Sequence, residues 1–140
     1  MESKASAVWE GGLKDGEGKV SADSGAFADL AYTFATRFEG AKGSNPEELI
    51  AAAHAGCYAM ALSNILGEAG MAPERIAADA TVTLEMVDGN PTVSRSHLAV
   101  TAREPGASDA DFQEAAKKAK EGCPISRLLT AEIGMDATLE

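Results

Sequence analysis

Cysteine, histidine and cationic side chains are all scarce in this chain, and each scarcity removes a class of function. There are two cysteines, Cys57 and Cys123, and two histidines, His54 and His97. No CxxC pair exists, which argues against a thioredoxin-like dithiol. His54 and Cys57 stand three apart, but Cys123-Pro124 adds no paired ligand spacing, so no metal site is expected. Positive charge is in deficit as well: 12 Lys and Arg against 22 Asp and Glu leave a net charge of −10. That balance sets nucleic acid and anionic membrane aside as partners. Met1-Glu2-Ser3-Lys4 leads into no apolar run, so no secretory leader is expected. Repeats, low-complexity tracts and linkers are missing too. At 140 residues the expectation is one domain over 1–140, in the cytoplasm. Thiols in that compartment are usually free, and a disulfide there is more often catalytic than structural.

What the sequence does have is one long uncharged run. Asn45 is a good helix cap, Pro46 suits the first helical position, and Glu47 and Glu48 suit the positive end of the helix dipole. Behind them the chain carries no formal charge as far as Leu66. Leu49, Ala53, Cys57, Ala61 and Ile65 recur at i, i+4, with Ile50, Met60 and Leu62 widening the apolar surface. This predicts a buried helix from Pro46 to Gly67. It is not read as a membrane span, because it is rich in alanine and contains His54.

Around it the pattern predicts strands. Ala5–Glu10 and Lys19–Ala22 read as a hairpin, and Phe27 to Phe34 as an extended segment running on to Arg37-Phe38-Glu39. Ala78–Val87 alternates Ala80, Val82, Leu84 and Met86 against polar residues. Asp88-Gly89-Asn90-Pro91 turns the chain, and Thr92–Arg103 returns with Leu98 and Val100 inside. Ser108 caps a helix whose apolar stripe is Phe112, Ala115, Ala116 and Ala119. A short helix follows Gly122-Cys123-Pro124, and Glu132–Leu139 closes as a strand. The class is α+β. Such short sheets give the long helix little cover, so a homodimer with two such helices packed together is expected.

Cys57 has two readings on pattern alone: a small buried hydrophobe or a reactive thiol. Cys123 likewise reads either as a cap residue before Pro124 or as a partner to Cys57. A reactive cysteine must be a thiolate near neutral pH, and Cys57 lies too far along its helix for the dipole to help. It needs a cation. Of five arginines, Arg37 stands between aromatic residues just before the helix-entry loop. Glu47 could hold it through a carboxylate–guanidinium pair, or could simply complement the helix terminus beside Glu48. Ten residues of helix separate Glu47 from Cys57 by roughly 15 Å. If both act in one site, Arg37 bridges them or a second protomer supplies Glu47. His54, a turn from Cys57, is read as a packing or hydrogen-bonding group rather than its base.

At these residues the sequence resembles the OsmC/Ohr family of organic hydroperoxide reductases, most closely the OsmC branch. The resemblance runs through Trp9-Glu10-Gly11, Thr36-Arg37-Phe38-Glu39-Gly40, Gly43 to Ile50, Ala52 to Cys57, and Ala119 to Ser126. It implies an intertwined homodimer, with long buried central helices wrapped by antiparallel sheets and active sites at the interface. It implies a thiol peroxidase with no metal, flavin or haem cofactor. Cys57 matches the peroxidatic cysteine, Cys123 the resolving cysteine, Arg37 the arginine that activates the thiol and Glu47 the carboxylate that positions it. An organic hydroperoxide is the implied substrate, with an external thiol, such as the dithiol dihydrolipoamide, as reductant. Phe34, Phe38 and Met60 are expected to line an apolar substrate pocket. Tyr58 departs from the phenylalanine common in the family and puts a hydroxyl beside that pocket. Two further readings share the fold: a non-enzymatic dimeric stress or binding protein with inert thiols, and a redox sensor.

Overall fold

Two hairpins and one long helix set the frame. In the computed structural model, which describes residues 1–140, the element order is β1 (Ala5–Glu10), β2 (Glu17–Ala22), β3 (Leu30–Thr33), α1 (Phe34–Phe38), α2 (Pro46–Glu68), β4 (Arg75–Val87), β5 (Asn90–Arg103), α3 (Asp109–Gly122), α4 (Pro124–Leu128) and β6 (Glu132–Leu139). The chain forms two units, Met1–Leu49 and Ile50–Glu140. Helix α2 begins in the first and continues into the second.

The first unit is an antiparallel sheet in the order β1-β2-β3. Its register places Trp9 and Tyr32 on either side of Gly18. The two rings meet across that glycine with centroids 5.5 Å apart. A Cβ on Gly18 would lie 2.5 Å from the Tyr32 ring and 2.7 Å from Trp9, so only glycine lets the aromatics close over β2. The extended reading through Arg37 is corrected here. Only Leu30–Thr33 is strand, and Phe34–Phe38 is a helical turn. The cause is a reciprocal cap: Thr33 Oγ1 accepts from the Thr36 amide at 3.2 Å, and Thr36 Oγ1 accepts from the Thr33 amide at 2.9 Å.

The second unit packs α2, α3 and the sheet β4-β5-β6 around one core. Asp88 and Gly89, both at positive φ, form the two-residue turn between β4 and β5. A register shift between Thr83 and Leu84 breaks the predicted alternation of β4, and Met86 is left exposed. Strand β6 runs parallel to β5, the one pairing that is not antiparallel; α3 and α4 supply the crossover such a pairing needs. On β5, Ser96, Leu98, Val100 and Ala102 all face inward. On α2 the fully buried stripe is His54, Tyr58, Leu62 and Leu66. That is one position on from the predicted stripe, because the bulkier side chains take the core while Cys57, Ala61 and Ile65 lie half-buried beside it. Burying side chains of the size of Leu62, Leu66, Leu98 and Phe112 contributes about 1.5–3 kcal/mol each.

Length and composition alone would let α2 cross a membrane. Its Tyr58, Leu62 and Leu66 instead belong to the core of the second unit. The expectation of burial on most sides is met on this one face only. Ala52, Ala53, Gly56, Met60, Ser63, Asn64 and Gly67 are exposed in the single chain.

Candidate active site

In the first unit the arginine and the carboxylate meet. The start of α2 is pinned by three polar contacts. Ser44 Oγ donates to the Ala31 carbonyl at 2.8 Å, Asn45 Nδ2 donates to the Thr36 carbonyl at 3.4 Å, and Asn45 Oδ1 accepts from the Glu48 amide at 2.8 Å. These tie the helix start to β3 and α1, and so bring Glu47 to Arg37. Arg37 Nε donates to both Glu47 oxygens at 3.2 Å, and its terminal nitrogen donates to Oε1 at 2.8 Å. Glu47 is buried, whereas the Arg37 side chain keeps 37% of its surface exposed. The guanidinium is thus held by its inner edge, with part of its surface open.

Arg37 also stands 5.1 Å from the centroid of the Phe38 ring, and Phe38 packs on Phe34 at 4.9 Å. These residues line a hollow of about 260 Å³ with Trp9, Leu13, Tyr32 and Thr33. Phe34 and Phe38, two of the three residues expected to line a substrate pocket, both line this hollow. Met60 belongs to the second unit and is 77% exposed. Trp9, Leu13 and Tyr32 were missed as lining residues; the Trp9-Gly18-Tyr32 pattern across a hairpin is the signal that could have found them.

In the second unit the two cysteines meet. Their thiols are free and within hydrogen-bonding reach of one another, although 66 positions separate them in sequence. Cys123 is fully buried and ends α3, while Cys57 is half-buried on α2. Burial pushes the Cys57 thiol above its ordinary value, and Cys123 pushes it the same way. The one opposing influence is the Ile125 backbone N–H, which bonds to the sulfur and favours the thiolate.

His54 is fully buried one turn before Cys57. Its Nδ1 lies 2.7 Å from Ser96 Oγ and its Nε2 2.8 Å from Ser126 Oγ. Both ring nitrogens are taken, so His54 does not serve Cys57 as a base. Burial lowers its pKa, which keeps it neutral. Ser96 and Ser126 were not singled out from sequence. Ser96 could have been found as the polar member of the inward β5 stripe. Tyr58 also differs from expectation. Its hydroxyl enters the core, where its one proton is shared between the Ala116 carbonyl at 3.3 Å and Met135 Sδ at 3.1 Å, and burial raises its pKa. Nowhere do three or more His, Cys, Asp or Glu side chains converge as a metal ion would require.

Comparison with known proteins gives these groups a context. Residues 39–137 match the family model for OsmC-like proteins. The chain is 46% identical over 140 residues to the peroxiredoxin OsmC of Escherichia coli (strain K12), covering 100% of this chain and 98% of that one. It is 29% identical over 122 residues to an organic hydroperoxide resistance protein of Xanthomonas axonopodis pv. citri, covering 86% of this chain and 83% of that one. Among solved structures, an OsmC-like protein of Mycoplasma pneumoniae superposes with a TM-score of 0.74 at 20% identity, over 99% of this chain and 97% of that one. That likeness concerns the fold alone. Taken with the full-length relative at 46% identity, the family-model match places the chain in the OsmC family.

Proposed function

We propose that this chain, acting as one OsmC-like domain over 1–140, is a thiol-dependent peroxidase that reduces organic hydroperoxides to alcohols. The observation that carries the reading is the meeting of half-buried Cys57 with fully buried Cys123. The full-length relative named a peroxiredoxin and the more distant one named for organic hydroperoxide resistance support it. The Cys57 thiolate attacks one oxygen of the O–O bond, and the alkoxide that leaves takes a proton to become the alcohol. Cys57 is left as a sulfenic acid. The Cys123 sulfur displaces its hydroxyl, giving a Cys57–Cys123 disulfide and water. An external thiol, such as the dithiol dihydrolipoamide, returns both cysteines to the reduced state by exchange.

Arg37 is the cation of the proposed mechanism, stabilising charge that develops on the peroxide oxygens. Glu47 fixes the guanidinium's direction. The chain acts as a homodimer, in which the exposed small-residue face of α2 is covered by its partner. Phe34 and Phe38, with Trp9 and Tyr32, receive the apolar part of the substrate, so alkyl peroxides are preferred to hydrogen peroxide. Met60 is proposed as a further apolar contact for the substrate.

One observation favours a second reading, a non-enzymatic binding protein: the raised pKa of Cys57. A thiol count separates the two. One equivalent of cumene hydroperoxide per chain is expected to consume both thiols in the wild type, one in Cys123→Ser and none in Cys57→Ser. Survival of both thiols in the wild type refutes the peroxidase reading.

A further inference from the structure

The buried histidine is a titratable group near the thiols that the mechanism above leaves unused. It joins three elements: His54 is on α2, Ser96 on β5 and Ser126 on α4. His54 and Ser96 are fully buried, and each is the polar member of an otherwise apolar inward stripe. A polar contact at that depth has to be made completely, or the unpaired groups cost heavily.

The third partner gives the network its reach. Helix α4 has only five residues, too few to hold itself in place, and Ser126 is the one residue of it that is fully inside. Leu128 points outward at 72% exposure, and Ile125 is only half-buried. The same short helix presents both groups that act on Cys57: Cys123 is its cap residue, and the Ile125 amide bonds to the Cys57 sulfur. His54 is in turn one helical step from Cys57 on α2. The bond from His54 Nε2 to Ser126 Oγ therefore ties the element bearing Cys57 to the element bearing Cys123, within a turn of both.

We propose that His54 is a positioning residue for disulfide formation, holding α4 through Ser126 so that Cys123 stays against Cys57. This rests on the peroxidase reading. The step it serves is the condensation of Cys57–SOH with the Cys123 thiol. The Cys123 sulfur supplies the electron pair, the S–O bond breaks, an S–S bond forms, and the hydroxide leaves with the thiol proton as water. The S–S bond is about 2.05 Å long with a fixed torsional preference, so small displacements of α4 matter. His54 moves no proton in this step, since both ring nitrogens face serine hydroxyls.

The two sides of the ring make the test specific. His54→Gln places an amide where Nε2 stood and keeps the contact to Ser126. His54→Asn places one where Nδ1 stood and keeps the contact to Ser96. Each leaves one buried serine unpaired, so a merely structural role costs both variants alike. Full-length wild type, both variants and Ser126→Ala would be treated with one equivalent of cumene hydroperoxide with and without dimedone, which traps sulfenic acid. Thermal midpoints would be recorded for all.

His54→Asn and Ser126→Ala are expected to slow disulfide formation at least tenfold and to accumulate dimedone-labelled Cys57, with His54→Gln within threefold of the wild type. Equal accumulation in the Asn and Gln variants, or none in Ser126→Ala, overturns the proposal while leaving the peroxidase reading intact. Ser126→Ala decides the matter if the histidine variants fail to fold. Wild type that forms neither sulfenic acid nor disulfide overturns both.

Discussion

Removing the Glu47 carboxylate tests whether the direction of Arg37, rather than its mere presence, sets the rate. The pair is made of Nε to both carboxylate oxygens at 3.2 Å and a terminal nitrogen to Oε1 at 2.8 Å. A hydrogen bond to a charged group contributes about 1.5–3 kcal/mol where both partners are buried. Glu47 is nearly so, but Arg37 is 37% exposed, so water replaces part of what is lost. That leaves about 1–2 kcal/mol of orienting energy, a factor of roughly 5–30. The second-order rate constant for Cys57 oxidation by cumene hydroperoxide should fall by that factor in Glu47→Ala. It should fall less in Glu47→Gln, which keeps an acceptor for the 2.8 Å contact. Arg37→Lys loses the two-pronged geometry and should fall at least as far. Because the two side chains act as one unit, the double variant Arg37→Lys/Glu47→Ala should be little worse than the poorer single variant. If the two losses simply multiply, the pair is not how Arg37 works. If the thermal midpoint falls and the rate does not, Glu47 serves only the start of α2.

Three further outcomes follow from the packing. Between pH 7.5 and 5.5 the unfolded chain takes up a proton on His54 that the folded chain resists, because burial lowers its folded pKa. Its contribution to stability is full above the unfolded value of about 6.5 and is lost as pH falls towards the folded one, at up to ~1.4 kcal/mol per pH unit; urea unfolding should show this slope in the wild type and not in His54→Gln. Tyr58→Phe removes a hydroxyl that bonds only Ala116 and Met135; stability should drop by about 1 kcal/mol in denaturant titration, with no change in the ratio of cumene hydroperoxide to hydrogen peroxide turnover. A Cβ at Gly56 meets nothing within 4 Å in the single chain. Gly56→Glu should leave the fold unharmed by circular dichroism, yet should halve the mass seen by light scattering.

Much of this was legible because it is local. The start of α2 could be read from Asn45-Pro46-Glu47-Glu48, and the observed Asn45 cap is made as expected. Strands β1 and β6 have the bounds their alternation predicts. The α1 turn was missed because Phe34, Phe38 and the residues before them look strand-like, while Thr33 and Thr36 cap each other. That is a side-chain bargain which hydrophobic patterning does not register. The buried stripe of α2 was misplaced by one position because an alanine-rich helix is apolar on nearly every side. Which side faces the core is then decided by where Tyr58, Leu62 and Leu66 fit. The His54–Ser96–Ser126 network was invisible for another reason. Its members are 42 and 72 positions apart, and serine and histidine carry no periodic signal of their own.

Within the second unit the surroundings of Cys57 do little to activate it. Everything the second unit brings to that sulfur, apart from one backbone amide, favours the neutral thiol. The proposed mechanism gains from that burial all the same, because it keeps Cys123 close and would keep water from a sulfenic acid. A permanent cation buried beside the two cysteines would carry a desolvation cost of several kcal/mol. Arg37 in the first unit rests on its own carboxylate with part of its surface open, and there it does not bear that cost. Burial and Cys123 both disfavour the Cys57 thiolate, so the proposed mechanism needs a cation before this sulfur becomes a nucleophile. On the proposed mechanism, direction is what matters in the Arg37–Glu47 pair and closeness in the Cys57–Cys123 pair.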